Sequence, residues 1–385
     1  MLLDEQLAAL PRSLLTDLRQ HGFDPERLKS WARAIGIDKD TRNRLPGTVE
    51  PPSAGDILDA PEPGTPEHAR FAEAGMQALS RGEAALCVLA GGMATRMGGL
   101  VKALADALPG KSFLTLRLAE NDHWRKASGT TLPLWLMTSE ATDAPIRSAL
   151  GERLDSGSIA TFQQCVSLRV TPEGTLFRGD DGELSVYATG HGDLPDALRA
   201  SGLLGRFLAS GGQGSRRTVW IANIDNLGAT VDPAILGFHL AHRAPVTVEV
   251  VDKVGGDRGG GPVRWNGRPI ITEEFRLPRG FDPATVPVFN TNTFLVDAQA
   301  LEDLQMDWTY VEVEKMIAGR PAVQFERLIG EITTALEPRF LRVPREGVRS
   351  RFLPVKDLAE LERRRPEIEA IAAARGMLQP PAAGI

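Results

Sequence analysis

The sequence predicts an α/β protein, a mixed sheet flanked by helices, with a helical N-terminal addition and a short C-terminal one. Short apolar runs recur at 86–90, 134–137, 219–222 and 246–251. Helical segments at 143–154, 193–208 and 232–242 separate them. Strands that read as near-continuous apolar runs between helices are buried on both faces, which is the habit of a covered α/β sheet. Such sheets bind ligands at the carboxyl ends of their strands.

Residues 1–45 read as helices, with apolar spacing at Leu7, Leu10, Leu14, Leu15 and Leu18 and a second helix after Asp24-Pro25. The proline-rich stretch 46–65 reads as an extended linker or a strap over the surface. Thr65-Pro66-Glu67 opens a helix, Thr at the N-cap and Pro at the first helical position, and Gly82 is its stop. The sheet-forming pattern follows. At the far end 357–376 reads as a charged surface helix, and Pro380-Pro381 mark a tail. The expected division is 1–82 for the helical region and linker, 83–305 for the core, and 306–385 for a C-terminal region closing the site.

The chain has 385 residues, 42% hydrophobic and 24% charged, an ordinary globular balance. A net charge of −6 argues against a general nucleic-acid binder, which needs a basic face. Cys87 and Cys165 are too few for a disulfide framework or a zinc site, and Cys87 reads as a small buried hydrophobe. The N-terminus carries Asp4 and Glu5 where a signal peptide wants basic residues, and no window approaches 18 unbroken apolar residues. The expectation is a cytoplasmic protein without a membrane span.

Chemistry concentrates in a few places. Leu89-Ala90-Gly91-Gly92-Met93-Ala94-Thr95-Arg96-Met97-Gly98-Gly99 follows the first strand. A glycine-rich strand-to-helix turn lets backbone N–H groups approach phosphates or a base, and Arg96 and Lys102 add positive charge. It also suits dehydrogenases or plain tight packing. It is not a P-loop: Gly110-Lys111-Ser112 comes close, but Ala105 stands where the first glycine belongs. Asn223-Ile224-Asp225-Asn226-Leu227 follows the strand at 219–222. An acid at a strand end can hold Mg²⁺ together with substrate phosphates, although a lone Asp there is more often a self-bonded turn.

Gly190-His191-Gly192-Asp193 opens a helix whose N-terminus is expected to stand open to an anion. In Phe289-Asn290-Thr291-Asn292, period two puts both amides on one strand face, suited to sugar hydroxyls or to a cross-strand pair. Arg351-Phe352-Leu353-Pro354-Val355-Lys356 ends an apolar turn in a cation. His239 and His242, mid-helix without a carboxylate, read as a surface or satisfied pair.

Taken in order, these blocks and Thr161-Phe162-Gln163-Gln164 closely resemble the eukaryotic-type UTP–glucose-1-phosphate uridylyltransferases from about residue 84 to 356. The block from Asn223 to Asp232 is the most specific. The resemblance implies a Rossmann-like nucleotidyltransferase core and, residue by residue, the following roles. Leu89, Ala90, Gly91 and Gly92 would border uridine, with Gln164 and Gly190 reading the uracil edge. Lys102 and Lys356 would hold phosphates, with Arg96 beside them, and His191 would lie near the sugar phosphate. Asn223, Glu273 and Asn292 would contact sugar hydroxyls, and Asp225 would hold Mg²⁺.

Departures are Ala94 where the family usually has Gly, Arg96 where glucose-specific members carry Ser or Thr, and a shortened stretch before Lys102. The family continues into a C-terminal β-helix, and only about 29 residues follow Lys356 here, so a monomer or weak dimer is expected. The implied reaction joins UTP to a hexose 1-phosphate and releases pyrophosphate. Its alternatives are a UDP-N-acetylhexosamine pyrophosphorylase and a non-catalytic nucleotide-binding relative. A dehydrogenase lacks its Gly-x-Gly-x-x-Gly turn.

Overall fold

The computed structural model describes residues 2–94, 99–212 and 215–378. Eight strands build its central sheet: β1 Ile57–Asp59, β2 Ala84–Leu89, β3 Leu134–Thr138, β4 Ile159–Gln163, β5 Thr218–Asn223, β6 Val246–Asp252, β7 Val288–Asp297 and β8 Pro338–Arg342. Their spatial order is β1-β8-β6-β7-β5-β2-β3-β4. All neighbours run parallel except at β7, which is antiparallel to both β5 and β6. The expected mixed sheet flanked by helices is therefore present. It also draws β1 from the proline-rich strap and β8 from beyond residue 306, across the divisions expected from sequence.

Period two explains why the strands look uniformly apolar. Leu86 and Val88 face one core with Phe71, Phe113, Ile235 and Phe238. Ala85 and Cys87 face the other with Leu194, Leu198 and Phe207. Both sets are buried, so alternation leaves no polar side. Cys87 is free, and burial pushes its thiol pKa up.

The helices depart from expectation at their ends. The stretch 193–208 forms two helices, Leu194–Ala200 and Leu203–Ala209, because Gly202 takes φ 71° between them. The helix expected at 143–154 begins earlier, spans Glu140–Leu150 and continues as a tighter 3₁₀ turn. The last helix, Leu358–Ala374, is not merely superficial: Leu361, Ile368, Ile371 and Ala372 join the first core.

The N-terminal helices pack away from the central sheet. Leu7, Leu18, Phe23 and Leu28 meet Leu168, Val170, Val323 and Phe325 on two peripheral hairpins. One pairs Val166–Leu168 with Val186–Ala188, and the other pairs Val311–Ile317 with Arg320–Glu326.

Helices Pro66–Ser80 and Pro233–His242 cross backbone to backbone through two glycines. A methyl on Gly75 would collide with the Pro233 carbonyl, and one on Gly237 with the Phe71 carbonyl. Helix propensity alone would reward Gly237→Ala by about 1 kcal/mol. The crossing reverses that sign, and we expect a loss of about 1–3 kcal/mol by overpacking. Urea denaturation decides: an unchanged or raised midpoint would contradict the close approach.

Candidate functional site

The connection order turns back at β2, which lies between β5 and β3. Leu89 and Asn223 are paired neighbours at the carboxyl ends of β2 and β5. A crevice opens where neighbouring strands send their chains to opposite sides. A cavity of about 640 Å³ occupies that place, lined by Leu89, Gly91, Gly92, Lys102, Gln164, Gly190, His191, Asn223 and Asp225 among others. Ala90 is fully buried behind it, its N–H bonded to the Met137 carbonyl. Arg96 lies outside the described residues.

A Cβ at Gly91 would strike the Gln164 side-chain oxygen, so the glycine lets that amide lie against the turn. Ser139 Oγ donates to the Gly91 carbonyl at 2.9 Å, pinning the turn. The Gln164 N–H is used by the Thr138 carbonyl at 2.9 Å. Its side-chain amide thus stands against the glycine turn, where it can read a base edge.

Asp225 and Lys102 form an ion pair at 3.0 Å, and Lys102 Nζ also donates to the Val355 carbonyl at 3.2 Å. The two asparagines around Asp225 divide their work. Asn223 Oδ1 accepts from Asn292 Nδ2 at 3.0 Å beside the cavity. Asn226 is fully buried and bridges to the Arg351 carbonyl and the Leu353 N–H.

Simple period two does not deliver Asn290 and Asn292 to one face. The β6–β7 register shifts between Glu249 and Val250, and Asn292 takes φ 58° in the resulting irregularity. Asn tolerates that left-handed conformation better than most residues. Asn290 Oδ1 then accepts the Asn292 N–H at 3.0 Å, supporting the bulge.

The helix N-terminus beyond His191 is not open to an anion as expected. The Gly192 N–H already donates to the Arg327 carbonyl at 3.0 Å. Gly190, at φ 102°, also packs on Arg327 backbone. His191 Nδ1 accepts the Ile329 N–H at 2.9 Å, so the neutral ring carries its proton on Nε2. Burial lowers its pKa to about 4. His239 Nδ1 hydrogen-bonds Thr247 Oγ1 at 2.9 Å, its buried Nε2 has no partner among the described residues, and burial lowers its pKa to about 3.

Two expected residues stand apart from this cavity. Glu273 lines a separate depression of about 580 Å³ with Arg258 and Gly259, and burial raises its pKa. Lys356 is exposed, and its own N–H is bonded by Glu360 at 2.8 Å. Sequence reasoning missed Ser139, Arg169, Tyr187, Lys315, Gln324 and Glu326, all of which line the cavity. Strand alternation was the available signal for the last three, but the hairpin pairing that aims them was not read.

Among the described residues no cluster of three or more His, Cys, Asp or Glu could hold a metal by itself. Asp225 offers one carboxylate at the edge of the cavity. That donor set fits Mg²⁺, which takes one or two carboxylates and completes its shell with substrate oxygens and water.

The model of the UTP–glucose-1-phosphate uridylyltransferase family matches residues 50–365. A UTP–glucose-1-phosphate uridylyltransferase of Hordeum vulgare is 30% identical over 290 residues, 71% of this chain and 59% of that protein. A probable one of Schizosaccharomyces pombe is 28% identical over 80% of this chain and 63% of its own length. The chain thus spans about three-fifths of these relatives. Solved structures share the fold: UDP-glucose phosphorylase of Trypanosoma brucei has a TM-score of 0.72 at 21% identity, covering 91% of this chain and 77% of that one. A UDP-N-acetylglucosamine pyrophosphorylase of Entamoeba histolytica gives 0.68 at 19%, covering 81% and 84%.

The two neutral histidines set a pH dependence. Their folded pKa values lie below the ordinary 6.5, so the unfolded chain binds protons that the folded chain refuses. Their contribution to stability is complete above about pH 6.5 and declines as pH falls towards 4. Urea midpoints measured between pH 7.5 and 4.5 should fall with pH, and less steeply in His191→Asn. An identical slope in the variant would show that His191 is not held neutral.

Proposed function

Because the chain belongs to the UTP–glucose-1-phosphate uridylyltransferase family, we propose that it transfers uridylyl from UTP to a hexose 1-phosphate, foremost glucose 1-phosphate. A phosphate oxygen of the sugar phosphate attacks the α-phosphorus of UTP. The bond from that phosphorus to the bridging oxygen breaks, and pyrophosphate leaves with the electron pair. The nucleophile is ionised at neutral pH, so no side chain need supply one. Positioning and charge neutralisation carry the catalysis.

The observation that carries this reading is the Lys102–Asp225 pair beside Asn223 and the glycine turn, at the point where the sheet reverses. In this reading the turn from Leu89 to Gly92, with Gln164 and Gly190, holds uridine. Lys102 meets the phosphates, and His191, neutral and fixed in one tautomer, donates to a phosphate oxygen. Lys356 follows Val355, whose carbonyl holds Lys102, and is the second phosphate cation proposed. Asn223 and Asn292 bond sugar hydroxyls in this reading, whereas the roles of Glu273, which lines a separate depression, and of Arg96, outside the described residues, rest on the family resemblance alone. Asp225 would hold Mg²⁺, which when bound neutralises phosphate charge.

No described helix is long and apolar enough to cross a membrane. Both cysteines are free, which suits a reducing cytoplasm as the proposed compartment.

Pyrophosphate release measured with UTP and a panel of sugar 1-phosphates, N-acetylglucosamine 1-phosphate included, tests the assignment. Glucose 1-phosphate should give the highest kcat/KM, and no turnover with any sugar would refute the reading. Asp225→Asn keeps the shape and loses the charge. It should lower Mg²⁺-supported turnover on the order of 10²-fold or more while the melting temperature stays near that of the parent. Near-normal turnover would remove Asp225 from the metal role.

A further inference from the structure

The cavity has a wall that the glycine turn and the sheet do not supply. We propose that this wall is a phosphate-binding subsite, in which Lys315 binds the phosphate chain of the nucleotide and Arg169 supports it. The proposal rests on the uridylyltransferase reading above for the identity of the anion.

Register fixes the direction of Lys315. Val311 is paired with Glu326, Val313 with Gln324, and Lys315 with Ala322. Directly opposed residues share a face in an antiparallel pair, and that face alternates with the other at every step. Lys315, Gln324 and Glu326 therefore fall on one side, and all three line the cavity.

The other side is occupied. Phe325 meets Trp31 at 5.1 Å between ring centroids. Glu312 is paired with Arg42, and Glu314 with Lys39 at 2.7 Å. The N-terminal helices thus hold the back of the hairpin, and both acids on that face of the strand, Glu312 and Glu314, are already engaged. Glu326 is bonded by Gln324. Lys315 itself makes no hydrogen bond or ion pair among the described residues.

Arg169 stands on the same wall and is tightly built in. Its Nε donates to Gln324 Oε1 at 2.8 Å, and Nη1 donates to Ser185 Oγ and the Val186 carbonyl, each at 3.0 Å. The guanidinium lies 5.2 Å from the Tyr187 ring centroid. Among the described residues no carboxylate forms an ion pair with it, and desolvation lowers its pKa although the Glu326 carboxylate on the same wall acts in the opposite direction. A partly desolvated cation held by neutral acceptors is stabilised by an anion brought to its cavity. Lys315 is the flexible partner that can close on such an anion.

Steady-state kinetics on Lys315→Met, with Lys315→Arg and Met316→Ala for comparison, test the subsite. Met316 is exposed on the opposite face, and its variant should match the parent. Losing one hydrogen bond to a charged group should raise KM for UTP and for UDP-glucose about tenfold, with KM for glucose 1-phosphate unchanged. The Arg variant should recover most of the loss, and the Met variant should show a weaker salt dependence of nucleotide binding. A nucleotide KM within a factor of about two of the parent, or a loss confined to glucose 1-phosphate, would overturn the proposal. Calorimetry with UDP on the same variants keeps the test separate from the enzymatic reading. If no sugar is turned over but Lys315→Met still weakens UDP binding, the subsite stands and the reaction assignment falls.

Discussion

Where β5 ends, the backbone from Asn223 to Val231 leaves the sheet and does not enter a helix until Pro233. Its carbonyls lose their ladder partners in a largely buried segment, and a buried carbonyl without a partner is costly. Three arginines supply the partners. Arg117 donates to the carbonyls of Asn223, Asn226 and Ala229. Arg351 donates to that of Thr230, and Arg375 to that of Gly228. Arg117 is balanced by Glu120 at 2.7 Å and Arg351 by a bidentate contact with Glu249. Glu120 also accepts the Val231 N–H at 2.7 Å. Every donor named here has a partner except Arg117 Nε, which is buried without one among the described residues, and removing one charge would strand its partner.

From this grip the rest of the site follows. Asn226, buried in the same segment, fastens the chain at 351–353, and two residues on the Val355 carbonyl reaches Lys102. Lys102 closes the circuit on Asp225. An acid at the end of β5, a lysine after the glycine turn and a segment near the C-terminal helix therefore form one hydrogen-bonded unit. Neither the acid nor the lysine can be moved without disturbing a backbone that several buried groups already hold.

The opposite part of the cavity is built on another principle. Two hairpins outside the central sheet carry it, and a separate apolar cluster with the N-terminal helices fixes them. The Val170–Val323 bridge joins the hairpins, and Arg327, in a buried ion pair with Asp193, ties the second hairpin to the loop bearing His191. The glycine-turn side and the hairpin side of the cavity thus depend on different cores. The N-terminal helices contribute to the site without lining it.

Sequence alone determined the kind of sheet, the glycine turn, and the residues that meet at the end of β5, because these are local patterns. Apolar runs between helices mark covered strands, and a ligand crevice lies at strand ends. Ordered motifs also carried the family, which the comparisons bear out. The bulge at Asn292 was not legible, because it arises from β7 pairing with β6 rather than from the alternation of β7. Nor was the closure of the helix N-terminus beyond His191, since the carbonyl that fills it comes from Arg327, far along the chain. Arg117 reads in sequence as one more helical arginine, yet it is fully buried. Lys315 reads as one more charge in an acidic strand. Which side such a residue faces is set by the strand or loop laid against it, and only the tertiary structure decides that.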